Sequence, residues 1–334
     1  IDKFTGSNAA KYGHIKCLEY IFENNISCDD YSKPYIIFCA ANYGNLECLK
    51  LCHLNNCPLS KSETEFACAY GHLDCLDYAY KNGCCIDISS CVQATIHNHM
   101  NCLEYIAKNE KHLFLNKKIC NLAAESGKID CLKLFYNLGY YIQDWNCYLA
   151  ARKGHIECLK FLIEIVGCKP YNNIGICKSV ASKGHLNCLE YLHKNGCELE
   201  EDICNVAAEN GHVDCLDYAY KNGCSPKYNI YESVICGNIY SNSNLECLEY
   251  CLKIFSKPSI EICKLAASYG KLEYLKYLHK NRYKWDDGVT YEAAIHGHLD
   301  CLMYAVMNGC PININEINQN ILRNPDIVNF LNYL

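Results

Sequence analysis

One eight-residue phrase recurs along the whole chain, and any fold must accommodate it. It reads GHIKCLEY from Gly13, GNLECLKL from Gly44 and GHLDCLDY from Gly71, then returns as NHMNCLEY, GKIDCLKL, GHIECLKF, GHLNCLEY, GHVDCLDY, SNLECLEY, GKLEYLKY and GHLDCLMY. Its anchor position is Cys17, Cys48, Cys75, Cys102, Cys131, Cys158, Cys188, Cys215, Cys247, Tyr274 and Cys301, so successive copies stand 31, 27, 27, 29, 27, 30, 27, 32, 27 and 27 residues apart. A basal period of 27 with occasional insertions is the signature of a repeat architecture, in which each unit is one supersecondary element and the core is shared between neighbours. Of the 334 residues, 50% are hydrophobic, more than one compact core usually holds, which an extended core explains.

Within a unit, the stretch from Cys204 to Cys224 predicts two helices. Val213, Leu216 and Tyr220, flanked by Cys215 and Ala219, fall at helical spacing, while Asp214, Asp217 and Lys221 share the opposite face. Asp217 and Lys221 are set for an i,i+4 ion pair. That helix ends at Asn222-Gly223, and the Asn recurs as Asn24, Asn55, Asn82, Asn109, Asn195, Asn281 and Asn308, often followed by Gly, as a left-handed helix cap requires. The preceding helix runs from Cys204 to Asn210, its Ala207 and Ala208 permitting close packing, and Gly211 makes the turn between the two. Helices of about seven to ten residues do not persist alone in water, so stacking is obligatory.

At these residues the chain resembles ankyrin repeats. Ala-Ala-x-x-Gly-His, read at Ala207 to His212, matches that family's first helix and turn, Cys215-Leu216 takes the place of its paired Val, and Gly223-Cys224 stands where it commonly has Gly-Ala. More narrowly, GHLxCLxYLHKNGC at Gly184 to Cys197, with Trp285-Asp286 in a later copy, resembles the short-repeat ankyrin proteins of mimivirus-like giant viruses. The resemblance implies an all-α, ankyrin-like helix-turn-helix solenoid of about twelve repeats over residues 1–334, with a truncated first repeat and a degenerate capping repeat around 316–334, where Ile327, Val328, Phe330 and Leu331 continue the stripe. It also implies a protein-binding role on a concave surface lined by first helices. Two departures stand out. The family unit has about 33 residues, so a 27-residue period predicts that the hairpin finger between units is shortened to a turn. The family's Thr-Pro-Leu-His opening is also missing, with Cys91, Cys120, Cys147, Cys177, Cys204, Cys236 and Cys263 at its Leu position, so its hydrogen-bonding His has no evident equivalent.

The 29 cysteines then sort by register. Ten are second-helix anchors, seven are the first-helix residues just named, and Cys57, Cys84, Cys197, Cys224 and Cys310 follow the helix-ending position, so 22 are expected to face the core or close a turn as small hydrophobes. Zinc is the alternative, because His72/Cys75, His155/Cys158, His185/Cys188, His212/Cys215 and His298/Cys301 recur three residues apart. A structural zinc wants four converging ligands, whereas this His belongs to the turn and this Cys to the buried stripe. Disulfides are disfavoured because equivalent residues of stacked units lie about 10 Å apart, beyond a bridge's reach. The expectation is free thiols, no metal, no cofactor and a reducing cytoplasmic compartment, which is the host cytoplasm if the source is viral.

No catalytic constellation is present: there is no Gly-rich phosphate loop, nucleophile elbow or His-Glu-x-x-His, and acids such as Glu125 and Glu209 recur one per unit, as solvated faces do. A net charge of −6 without basic runs gives no footprint for nucleic acid, and charges interrupt every apolar stretch too often for a membrane span. The expected function is therefore a non-enzymatic, monomeric scaffold for an unidentified partner protein, one of a host if the source is viral. The alternatives are a substrate adaptor for a ubiquitin ligase and a structural or virion assembly component. The chain opens on Ile1 rather than Met, which leaves room for a leader or a further module. The candidate contact residues are those the repeat leaves free in the first helix, one after the Cys and two before the Gly: Asn121 and Glu125, Tyr148 and Arg152, Lys178 and Ser182, Asn205 and Glu209, Lys264 and Ser268. Tyr148 and Arg152 are of the types that dominate interface energetics.

Overall fold

The computed structural model describes residues 4–26, 32–227, 229–237, 243–255, 261–320 and 325–333. Among these the regular structure is entirely helical, with 24 α-helices in about twelve antiparallel pairs and two short 3-10 turns. The molecule is an all-α helical repeat protein whose packing divides into two compact units, Ile1–Asn173 and Ile174–Leu334, of six pairs each. In the first unit the first helices are Thr5–Lys11, Lys33–Asn42, Lys61–Tyr70, Ile88–Ile96, Lys117–Glu125 and Trp145–Arg152. In the second they are Ile176–Ala181, Ile203–Glu209, Ile230–Cys236, Glu261–Ser268, Asp287–Ile295 and Ile314–Asn320. Within each unit every first helix from Thr5–Lys11 to Asp287–Ile295 packs on its own second helix, and successive first helices pack on one another.

Small side chains permit that close approach. The Ala pairs Ala40/Ala41, Ala123/Ala124, Ala150/Ala151, Ala207/Ala208 and Ala266/Ala267 are all fully enclosed. On the second helices the Leu after each anchor is likewise fully buried, from Leu18 and Leu49 to Leu216, Leu275 and Leu302. The terminal helix Pro325–Asn332 buries Ile327 and Leu331, while Val328 and Phe330 are half-buried; residues 321–324 and 334 of the expected cap lie outside the described residues.

The second helices end as the Asn-Gly pattern predicts, by two devices in series. The Asn side chain donates Nδ2–H to the carbonyl four residues back, as Asn82 does to Tyr78 at 2.7 Å and Asn222 to Tyr218 at 2.8 Å. The next residue then takes left-handed backbone, φ +93° at Gly83 and +94° at Gly223. Together they satisfy the open carbonyls of the last turn. The segments that follow are plain turns without strands, and several lead into a capped first helix: Ser60 and Glu63 form a capping box, and Asp87 accepts from the N–H groups of Ser89 and Ser90. Insertions are absorbed locally. The longer link at 110–116 forms a 3-10 turn that buries Phe114 with its ring 5.5 Å from those of Phe135 and Tyr140.

The cysteines follow their register with three exceptions. All nine anchor cysteines from Cys48 to Cys301 are nearly or fully enclosed, whereas Cys17, in the first described pair, is exposed. The anchor faces the preceding pair, as Cys102 Sγ shows by lying 4.0 Å from the Ala67 carbonyl, and Cys17 has no such pair described before it. Cys224 and Cys236 are only half-buried, against the expectation that these positions face the core or close a turn as small hydrophobes. All the described cysteines are free. Burial holds Cys75, Cys91, Cys204 and Cys215 as neutral thiols by pushing each up to about 12, so they serve as apolar filler and not as nucleophiles.

Candidate functional site

The positions left free for a partner are set by what the framework consumes, and it consumes more than the period alone suggests. The His opening each second helix is an inter-pair bond. Its Nε2 lies 3.2 Å from the Asn42 carbonyl for His72, 3.0 Å from Ala69 for His99, 3.0 Å from Glu125 for His155 and 3.0 Å from Ser268 for His298, each acceptor being thirty residues back at the end of the preceding first helix. The ring lies against the turn Gly of that preceding pair. A Cβ built on Gly44, Gly71 or Gly127 would come within 2.5 Å of the Nδ1 of His72, His99 or His155. Those glycines are needed twice, for positive φ and for the space the ring takes. This bond supplies the turn anchoring that the sequence left unassigned when the family's usual His was missing. Where the residue is Asn45 instead, its Nδ2 donates to the Ala10 and Lys11 carbonyls at 2.8 Å each.

A second set of bonds links the second helices of successive pairs. His53, His193 and His279 place Nδ1 at 2.9, 2.9 and 3.0 Å from the hydroxyls of Tyr78, Tyr218 and Tyr304 in the next pair. Tyr105 and Tyr250 donate to Asp77 and Asp217, the same carboxylates that take Lys81 and Lys221 in i,i+4 ion pairs of 2.8 and 2.7 Å. The turn His and the anchor Cys three residues on therefore engage different surroundings, the one a carbonyl and the other the core; no group of three or more His, Cys, Asp or Glu side chains fit to hold a metal occurs among the described residues.

The ten candidate contact residues separate by position. Those one after the Cys are drawn into the framework. Asn121 accepts from Asn146 Nδ2 at 3.0 Å, the Lys178 ammonium binds the Asp202 carboxylate, and Lys264 lies 3.3 Å from Asp286 and 3.4 Å from Glu261. Asn205 is a correction: expected to face outward, it is 4% exposed, accepts the Lys227 N–H at 2.8 Å and donates to Ser233 at 2.9 Å. A short amide at this position satisfies the backbone of the following turn, and that requirement overrides the helical register. Tyr148 remains half-buried, stacked on Trp145 at 4.4 Å and 15°. Of those two before the Gly, Arg152 and Glu209 are exposed and Glu125 pairs with Lys153 at 3.3 Å. Ser182 and Ser268 turn their hydroxyls back to the carbonyls three residues earlier, at 2.8 and 3.0 Å.

What sequence reasoning missed lies one residue nearer the Gly. Tyr12, Tyr43, Tyr70 and His97 hold that position in four consecutive pairs, with the three tyrosines 62%, 46% and 55% exposed. The signal was available, because Tyr-Gly repeats before Gly13, Gly44 and Gly71.

The half-buried turn histidines carry a pH dependence. Desolvation lowers His72 and His212 from the ordinary imidazole value, outweighing the bond each makes to a carbonyl. A depressed His is neutral in the folded state, so the unfolded chain binds more protons as pH falls below the ordinary value of about 6.5. This contribution to stability is fully present above that value and is lost as pH falls through the folded-state pKa. The denaturant midpoint is expected to drop between pH 7.5 and pH 5, above the range where Asp77 and Asp217, themselves lowered by Lys81 and Lys221, take up protons. Equal midpoints at the two pH values would show that these rings carry no such linkage.

No protein-family model matches the chain. No curated protein matches it either. Among solved structures, the human ASB11 ankyrin repeat domain is similar at TM-score 0.33 and 16% identity, over 67% of this chain and 99% of that one. The pentatricopeptide repeat protein PPR10 from maize is similar at TM-score 0.36 and 12% identity, over 93% of this chain and 55% of that one. PPR10 in complex with an 18-nt psaJ RNA element gives TM-score 0.42 and 9% identity, over 99% of this chain and 57% of that one. This chain thus spans little more than half the length of PPR10.

Proposed function

We propose that the chain is a non-enzymatic, ankyrin-like scaffold that binds a partner protein on its first-helix surface, within a reducing compartment. The observation that carries this reading is the Trp145–Tyr148 stack beside Arg152. Trp145 is 46% exposed, Arg152 is exposed one helical turn after Tyr148, and an aromatic pair and a guanidinium presented by one helix have the composition of an interface hot spot. Around it the repeated residues are occupied with one another: His with carbonyl, Asn with helix end, Tyr with Asp, Cys and Leu in the core. A rigid framework of identical parts carrying a few dissimilar exposed ones offers a partner a preorganised surface, which limits the entropy lost on binding. The ankyrin-like assignment rests on the Ala-Ala-x-x-Gly-His turn and its inter-pair bond. A virion or adaptor role has no specific observation in its favour.

The test is capture from cell extract by crosslinking, with wild type beside the Tyr148→Ala/Arg152→Ala double variant. Each substitution is expected to change stability by no more than about 1 kcal/mol, since Arg152 is exposed and Tyr148 is only half-buried. The double variant is expected to lose a protein that wild type captures. Undiminished capture by a folded double variant would remove this patch from the binding surface.

A further inference from the structure

We propose that Tyr12, Tyr43 and Tyr70 form a ladder that binds an extended proline-rich peptide bearing an acidic residue. This deepens the protein-binding reading by naming a partner class, and rests on it. The tyrosines occupy one register position in consecutive pairs. In three of the four pairs that position shows the same local geometry: Tyr12 lies 6.2 Å from His14, Tyr70 6.3 Å from His72 and His97 6.1 Å from His99, all at low interplanar angles of 16° to 35°. Tyr12 and Tyr70 are therefore disposed alike, and Tyr43 between them is placed by Lys11, which lies over its ring. Lys11 Nζ lies 5.1 Å from the Tyr12 ring centre and 5.0 Å from that of Tyr43, so those two centres are at most twice that reach, about 10 Å, apart.

That upper bound accommodates the repeat of packed helices, and a repeat of that order selects the ligand's conformation. Packed helices repeat at roughly 8–10 Å, and a polyproline II helix advances about 9.3 Å in one turn of three residues, returning a side chain to the same side each turn. A β-strand covers the same distance in about three residues but turns its third side chain to the opposite face. An α-helix satisfies its own carbonyls, whereas polyproline II leaves every carbonyl open to a tyrosine hydroxyl, as in other aromatic grooves that take proline-rich segments. The charge on Lys11 between the first two rungs calls for a carboxylate there. Single-stranded nucleic acid would also stack on such rings, but a chain of net charge −6 with one lysine at the ladder opposes a polyanion.

The experiment is fluorescence anisotropy with labelled peptides: nine prolines preceded by two glutamates, the same with two lysines, an amphipathic helical peptide of equal length, and an oligouridylate. Saturable binding is expected to be strongest for the acidic proline peptide. Tyr43→Ala and Tyr70→Ala should each weaken it about tenfold or more, Lys11→Gln should erase the preference for glutamate over lysine, and Tyr269→Ala, at the same register in the other unit, should change nothing. Circular dichroism establishes that each variant is folded. The proposal is overturned by absence of saturable binding to the proline peptides, by tighter binding of the helical peptide or the oligouridylate, or by full affinity in folded Tyr43→Ala and Tyr70→Ala. Partner capture that depends on Tyr148 and Arg152 while the proline peptides fail to bind would overturn the ladder alone and leave the scaffold reading standing.

Discussion

Gly71→Ala is expected to destabilise the first unit by about 3–5 kcal/mol, while Gly83→Ala, twelve residues along, costs only about 1–2 kcal/mol. Both glycines have left-handed backbone, at φ +76° and +93°, so both substitutions incur the same backbone penalty. They differ in what the methyl group meets. At Gly83 nothing lies within 4 Å, whereas at Gly71 the new Cβ would sit 2.5 Å from Nδ1 and 2.9 Å from both Cε1 and Cγ of His99. The ring has to move, which breaks its bond to the Ala69 carbonyl and leaves a partly buried acceptor unsatisfied. Denaturant unfolding of the two variants beside wild type measures the difference. A double variant, Gly71→Ala with His99→Ala, separates clash from backbone strain: with the ring removed, the double variant should be less unstable than the two single losses added together. Equal costs at Gly71 and Gly83, or strict additivity in the double variant, would show that the ring and the glycine are not coupled.

The second large effect is expected in the other unit. Leu216 is fully enclosed on the second helix Val213–Lys221, between Cys215 and Ala219, which are buried with it. Leu216→Ala removes three carbons from a site that short, bonded helices cannot collapse to fill, and should cost about 2–5 kcal/mol. Loss in a repeat array can be local, so unfolding is best followed by two probes, circular dichroism for the whole chain and hydrogen exchange for residues 203–224. A change below about 1 kcal/mol with unaltered exchange there would contradict the shared core on which the stack depends.

How much of this was legible in the sequence depended on whether a contact lies within one unit. The helix pair, the Asn-Gly ending, the Asp217–Lys221 ion pair and the burial of Leu216 are all set by neighbours a few residues away, and helical spacing revealed them. The Gly-His bond was not legible from one unit, because His72 reads as a turn residue until its acceptor, Asn42, is placed thirty residues back. A comparison of adjacent copies carries the clue. Gly44, Gly71, Gly127, Gly184 and Gly270 each stand 28 residues before a His, and where Asn98 replaces Gly the partner position is Lys128. Surface assignment failed for a related reason. Asn121, Lys178, Asn205 and Lys264 lie on the outward side of their own helix, but the next unit's turn comes to rest against that side, so a position free within one copy is used between copies.

The Gly-His bond also makes the copies interchangeable. Each pair carries the same two halves of the seam, a His that reaches back and a carbonyl beside a Gly that receives. Were residues 72–98 excised and Gly71 joined to His99, the first helix Lys61–Tyr70 would be followed by the second helix Met100–Asn109, and His99 would inherit the Asn42 carbonyl and the Gly44 surface that His72 now occupies. The seam would close with no new kind of contact. A chain joined in this way can vary in length by whole units, since its specificity of assembly is written into each junction and not into the number of junctions.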